Sequence, residues 1–91
     1  MQKAEEYFIQ GKYKEAVDIY NRVPPDKLSF NNLLNKAKSE AAISNYEEGI
    51  LTLKAAEKKS IDDNQLSVVY YNLLLFHYII LIFAWKILRS A

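Results

Sequence analysis

The sequence predicts an all-α protein in which a short stack of antiparallel helix pairs is followed by one long apolar helix. Apolar residues recur at steps of three and four along most of the 91-residue chain, which is the period of an amphipathic helix. Only two Gly and two Pro are present, and Gly11 and Pro24-Pro25 separate periodic segments. A pattern that starts at Gly11 also returns 33 residues later, at Ser44.

The first helix pair is predicted over residues 1–25. Residues 1–10 form its first helix, in which Ala4, Tyr7 and Phe8 share one face. Gly11 provides the usual C-terminal stop. A second helix runs from Tyr13 to about Arg22, and Pro24-Pro25 ends it because proline cannot donate to the backbone ladder.

The second helix pair is predicted over residues 29–58. Ser29 is a suitable N-cap for the third helix. The Ser44-Asn45 dipeptide breaks the pair, with Asn45 expected in the left-handed conformation. A fourth helix runs from Tyr46 to about Lys58. On the third helix, the apolar stripe is Phe30, Leu33, Leu34, Ala37 and Ala41, and the residues expected to face away from it are Lys36, Lys38 and Glu40.

One long helix is predicted in the C-terminal segment, residues 62–91, after a repeat domain over residues 1–60. Asp62 and Gln65 form a capping pair at its start. No Gly, Pro or Asp follows from Leu66 onward. Residues 64–85 carry no charge, and as a helix they are roughly 33 Å long, close to the ~30 Å hydrocarbon core of a bilayer.

The composition excludes several classes of function. Twelve Lys and Arg against eleven Asp and Glu leave a net charge of +1, which is not the clear excess of basic residues expected of a nucleic-acid-binding protein. The absence of Cys excludes disulfides and thiolate zinc sites. His77 is the only histidine, and no phosphate loop or nucleophile elbow occurs. We therefore expect no enzyme activity, no metal and no cofactor.

The repeat at a shift of 33 residues resembles the tetratricopeptide repeat (TPR) family. The string Gly-Lys-Tyr-Lys-Glu-Ala from Gly11 to Ala16, with Tyr20 four residues on, is similar to the second-helix signature of that family. The resemblance covers two copies over residues 1–58 and implies a short α-solenoid. The residues that it implies for packing between helices are Gly11, Tyr13, Ala16, Tyr20, Tyr46, Gly49, Leu53 and Ala56.

A degenerate third copy is one alternative for the C-terminal segment, and a membrane anchor is the other. Val69 to Leu73 resembles the start of a first helix, and Lys86 to Ala91 resembles the end of a second helix. A third pair needs a turn between them, around His77–Ile82, where the sequence has no Gly or Asn.

The family resemblance implies a non-catalytic protein–protein interaction module. Stacked pairs form a groove lined by the first helix of each pair, and this groove holds a peptide or helix of a partner. A TPR-type scaffold or adaptor is thus the expected function. Helix phase gives the partner-binding candidates Lys3, Tyr7, Asn31, Asn35 and Lys38.

Two further hypotheses follow from the apolar C-terminal segment. One is a tail-anchored membrane adaptor that uses residues 64–85 as a transmembrane helix. The other is a truncated fragment of a longer TPR protein. The exposed apolar helix would also allow oligomerisation. The acidic start of the chain does not resemble a signal peptide, so the expected location is the cytoplasm or a membrane facing the cytosol.

Overall fold

The computed structural model describes residues 1–90, which fold into five α-helices and contain no β-strand. The predicted all-α class is confirmed. A short 3-10 turn, Pro25–Lys27, lies between the second and third helices. The helices are α1 (Gln2–Ile9), α2 (Tyr13–Tyr20), α3 (Phe30–Ala42), α4 (Tyr46–Lys59) and α5 (Asp63–Ser90).

Consecutive helices pack against one another along the chain. α1 pairs with α2, α3 pairs with α4, and α2 packs on α3 to join the two pairs. α1 also contacts α3, and α5 packs on α4. The core runs through these contacts, and its fully covered members include Ala4, Ala16, Tyr20, Leu28, Leu33, Ala37, Leu53, Ala56 and Val69.

The turns within the two pairs have the same hydrogen bonds at a shift of 33 residues. The amide of Gly11 donates to Phe8 O at 3.1 Å, and the amide of Ser44 donates to Ala41 O at 2.9 Å. The next amides, of Lys12 and Asn45, donate five residues back at 2.8 Å in each case. Gly11 and Ser44 have positive φ angles of 77° and 66°. The sequence repeat is therefore also a repeat of backbone conformation.

The prediction that Asn45 adopts the left-handed conformation is wrong by one residue. Ser44 has the positive φ, and Asn45 has φ −97°. The predicted Ser29 cap is confirmed, since its side chain accepts a hydrogen bond from the amide of Asn32 at 3.1 Å. Ser44 takes the strained position because it is the structural equivalent of Gly11 in the repeated turn.

The prediction that Lys36 and Glu40 face away from the core is wrong, whereas Lys38 is exposed. Glu40 is only 3% exposed, and its Oε1 accepts a hydrogen bond from Thr52 Oγ1 on α4 at 2.6 Å. α3 is contacted by α1, α2 and α4. Its solvent-facing side is consequently narrower than that of a helix packed on one side.

α5 is a single continuous helix, as predicted. The Asp62–Gln65 capping pair is confirmed: the amide of Gln65 donates to Asp62 Oδ1 at 2.9 Å, and Gln65 Oε1 accepts from the amide of Ile61 at 3.0 Å. The helix continues through His77–Ile82, where a third helix pair requires a turn. No second helix of a third pair is thus present in residues 1–90; Ala91, the predicted end of α5, lies outside the described residues.

Candidate functional site

The predicted partner-binding residues lie on α1 and α3, which are in contact. On α1, the Tyr7 ring is half-buried and two ammonium groups lie over it. Lys3 Nζ is 5.1 Å and Lys12 Nζ is 5.9 Å from the ring centroid. These cation–π contacts hold positive charge beside an aromatic surface at one end of the stack.

The α3 candidates differ in how far solvent reaches them. Asn31 and Lys38 are exposed, whereas Asn35 is half-buried beside Tyr20. Burial raises the pKa of the Tyr20 hydroxyl, and the Asn35 side chain opposes that rise. The hydroxyl nevertheless makes no hydrogen bond of ordinary geometry among the described residues. Asn35 therefore lies partly in the interior, beside Tyr20.

Lys3 and Tyr7 line a shallow groove with α2 rather than with α3. Its volume is about 340 Å³, and its lining includes both acidic and basic side chains. No hydrogen bond or ion pair joins the α1 candidates to the α3 candidates within the described part of the chain. The remaining groove residues are Glu15, Asp18, Ile19 and Arg22.

A larger groove, of about 460 Å³, lies between the 3-10 turn and α4. Its floor is apolar, from Pro25, Leu51 and Ala55, and lysines form its rim. Lys59 crosses one end, where its Nζ donates to the backbone O of Asp26. Sequence reasoning missed this groove, because the only signal was the spacing of Lys54 and Lys58 on the exposed face of a predicted second helix.

The residues predicted for packing between helices occupy interior or turn positions. Ala16, Tyr20, Leu53 and Ala56 are completely buried. Tyr13 meets Phe8 edge-to-face with ring centroids 5.9 Å apart, and Tyr46 meets Phe76 in the same manner at 6.0 Å. Gly11 lies in the first turn, and Gly49 is buried against Phe76.

α5 divides into a packed side and an exposed side. Val69, Asn72 and Phe76 are buried on α4, and Tyr70 Oη donates to Glu57 Oε2 at 2.6 Å. The Asn72 side chain donates to the backbone O of Val68 at 2.8 Å, so its amide is satisfied within the helix. Most other apolar side chains of α5 are exposed, including Tyr71, Leu74, Tyr78, Leu81, Phe83, Trp85, Ile87 and Leu88.

α5 is also the one described helix that is long and apolar enough to cross a membrane, by length and composition alone. The core helix of a soluble protein passes the same test. Only 17% of its most apolar 18-residue window is buried, however, which separates α5 from such a core helix.

Within residues 1–90, no three His, Asp or Glu side chains are grouped so that they could hold a metal ion. His77 is exposed on α5. Comparison with family models, curated proteins and solved structures finds no match to this chain. The structure alone thus defines its class: an all-α protein of two repeated helical hairpins and one long helix.

Proposed function

We propose that the chain is a non-catalytic protein–protein interaction module, a TPR-type scaffold or adaptor. The observation that carries the proposal is the repeated hairpin, because the same turn occurs in each pair and the first helices α1 and α3 are in contact. Adjacent first helices form a continuous surface suited to a peptide or helix of a partner.

The chemistry of the α1 and α3 surface suits a polar segment that carries carboxylates. Lys38 is exposed, and Lys3 is exposed beside Glu6, whose Oε2 lies 3.9 Å from Lys3 Nζ. The Asn31 amide can donate and accept hydrogen bonds with a peptide backbone. Tyr7 adds an apolar contact. We infer that the partner binds across α1 and α3 with its acidic side chains toward these lysines.

A displayed peptide library provides the test. Peptides selected on the full chain are titrated into isotopically labelled protein, and amide shift changes are mapped onto the helices. We expect the changes on α1 and α3, and we expect Lys38→Glu to weaken binding by about 10-fold through loss of a charge-assisted contact. Lys14→Glu, an exposed lysine on α2, is the matched control.

Shift changes confined to α4 and the 3-10 turn would instead place the partner in the groove rimmed by Lys54, Lys58 and Lys59. Failure to select any peptide, or equal losses for Lys38→Glu and Lys14→Glu, would contradict binding across α1 and α3.

Membrane anchoring by α5 is a second candidate function, favoured by the charge-free run of residues 64–85 and by its exposure. The packing of α5 on α4 limits how α5 can span a membrane. If α5 spanned a bilayer from residue 64 while packed on α4, Glu57 and the other charges of α4 would enter the hydrocarbon, which is costly. Spanning therefore requires α5 to separate from α4.

Carbonate extraction tests the anchor. The full chain is compared with a version that ends at Lys59 and with Leu74→Lys, which puts a charge near the middle of the run. Retention of the full chain alone in the membrane pellet supports an anchor. Retention of Leu74→Lys as well, or release of all three proteins, contradicts it.

A further inference from the structure

The exposed side of α5 carries a regular heptad pattern. Six apolar residues follow one another at alternating steps of three and four, and each is more than half exposed. Aromatic residues occupy one set of positions and leucines the other. We call these residues the α5 seam: Tyr71, Leu74, Tyr78, Leu81, Trp85 and Leu88.

The α5 seam lies on the side of the helix opposite to α4. Each α5 residue that is buried on α4 is two positions away in sequence from a seam residue; these buried residues are Val69, Asn72 and Phe76. At about 100° per residue, a step of two places them roughly across the helix axis. Packing within one chain therefore leaves the seam uncovered along its whole length.

A strict 3–4 spacing is typical of a helix that pairs with another helix. Tyr70, Phe83 and Ile87 are also more than half exposed off the seam, so the feature that distinguishes the seam is the regular alternation of aromatic residues and leucines. The three aromatic side chains have about 150–250 Å² each, of which 58–67% is exposed, and the three leucines are 66–75% exposed. The exposed area of the seam therefore approaches the ~800 Å² per partner of a stable interface. The size and register of this surface indicate a helical partner.

We propose that the α5 seam pairs with the same seam of a second copy, so that the protein is a homodimer. In coiled coils, charges beside the seam select the partner. The flanking residues from Leu75 to Ala84 include no Asp, Glu, Lys or Arg and are Leu75, His77, Ile82 and Ala84. Two copies of this part of α5 can therefore pair without repulsion between Asp, Glu, Lys or Arg side chains.

The two α5 helices run antiparallel. In that direction each aromatic faces a leucine of the partner, with Tyr78 opposite Leu81 at the symmetry axis. A parallel pair would instead stack Trp85 on Trp85 and bring two copies of Lys86 and Arg89 together. Alternation of large and smaller residues fills the layers more evenly, and the basic ends stay apart.

This dimer goes beyond the proposed function and does not depend on it. The seam is on α5, whereas the proposed peptide surface is on α1 and α3. A monomer that binds peptide would overturn the dimer alone, and a dimer without peptide binding would overturn the interaction proposal alone.

The test measures the mass of the full chain in detergent-free buffer by sedimentation equilibrium. We expect a dimer, and Leu81→Glu should raise the dissociation constant by about 100-fold or more because it buries a charge in each copy. Phe83→Glu is the matched control, since Phe83 is also more than half exposed on the same helix (55% against 66% for Leu81) but lies off the seam. Circular dichroism checks that each variant keeps its helices.

The orientation is tested with a spin label, because the chain has no cysteine and Ser90→Cys gives one label per copy. An antiparallel pair places the two labels roughly 30 Å apart, from the 1.5 Å rise per residue, and a parallel pair about 10 Å apart. A monomeric full chain, equal losses for Leu81→Glu and Phe83→Glu, or the short distance would overturn the proposal.

Discussion

Glu40 places a carboxylate between α3 and α4, where Thr52 is its hydrogen-bond donor. Burial raises the pKa of Glu40 above its usual 4.5, and the Thr52 hydrogen bond and the charge of Lys36 oppose that rise. As the pH rises past 4.5, the folded protein thus holds a proton that the unfolded chain releases. The Glu40 contribution to stability is fully present below pH 4.5 and is lost as the pH rises through the folded-state pKa.

We expect Glu40→Gln to be more stable than the parent protein at pH 7 and to lose that advantage below pH 4.5. Glutamine keeps an acceptor for Thr52 but carries no charge to desolvate. Urea unfolding between pH 4 and 8 measures the difference, with the exposed Glu47→Gln as the matched loss of one charge. A parent protein more stable at pH 7 would mean that the attraction of Lys36 exceeds the cost of burial.

Gly49 lies on α4 where the Phe76 ring of α5 comes closest to the backbone. A Cβ at this position would lie 2.9 Å from the Phe76 ring and 3.3 Å from the backbone O of Ala37. The equivalent residue in the first pair is Ala16, so the second pair has no side chain at the position where α5 packs. The two hairpins thus differ at this position, and the contact with Phe76 gives the physical reason.

We expect Gly49→Val to destabilise the protein by roughly 1–3 kcal/mol, because the added side chain overpacks the contact with Phe76. Chemical unfolding measures this change. Gly11→Val should also destabilise the protein, but through its φ of 77° alone, because no atom lies within 4 Å of an added Cβ there. The two losses therefore have different causes, crowding at Gly49 and backbone strain at Gly11. A Gly49→Val protein that kept its stability and its α4–α5 contact would show that Phe76 can move aside.

At the scale of elements, the turn between α3 and α4 is the weaker copy of the turn between α1 and α2. Ser44 holds φ 66° with a Cβ, whereas Gly11 holds φ 77° without one. A left-handed residue with a side chain costs roughly 1–2 kcal/mol. The hydrogen bonds of the turn, from Ser44 to Ala41 O and from Asn45 to Glu40 O, hold it in place.

We expect Ser44→Gly to stabilise the protein by about 0.5–1 kcal/mol, since relief of the strained backbone exceeds the added freedom of the unfolded chain. Thermal unfolding provides the measurement. Asn45→Gly is the control, because φ at Asn45 is −97° and glycine gains nothing there. Stabilisation by Asn45→Gly rather than Ser44→Gly would contradict the assignment of the strain.

Patterns among residues close in sequence predicted the helices well. The features that the sequence did not predict depend on contacts between different helices. The Ser29 cap, the Asp62–Gln65 pair and the continuity of α5 depend on residues a few positions apart. The burial of Lys36 and Glu40 depends on α1, α2 and α4 closing around α3, which periodicity along one helix does not reveal. The groove at Pro25 and Leu51 likewise joins residues distant in the chain.

At the scale of the whole molecule, α5 packs on α4 and extends well past it. α4 has 14 residues and α5 has 28, so α5 exceeds its support by roughly 20 Å at 1.5 Å per residue. Phe76, only 3% exposed, is the most distal buried residue of α5. The hairpins α1–α4 form one packed unit, and α5 is attached to it through its first half.

We expect Phe76→Ala to destabilise the α4–α5 contact by about 3–5 kcal/mol, as for other large core aromatics. Hydrogen exchange should then accelerate in the first half of α5, while α3 keeps its protection through its other contacts. Phe83→Ala, at a residue that is 55% exposed, is the matched control. Uniform acceleration across all five helices would show that α5 is required for the hairpins to fold.

The unbroken path of α5 through His77 has a mechanical consequence. A turn at that point would fold the chain back onto α1–α4. The continuous helix instead extends the C-terminal half of α5 in a straight line away from them. Its tip is held at a fixed distance and direction from the hairpins. A molecule that binds the C-terminal end of α5 would therefore also set the orientation of α1 and α3, which carry the proposed binding surface.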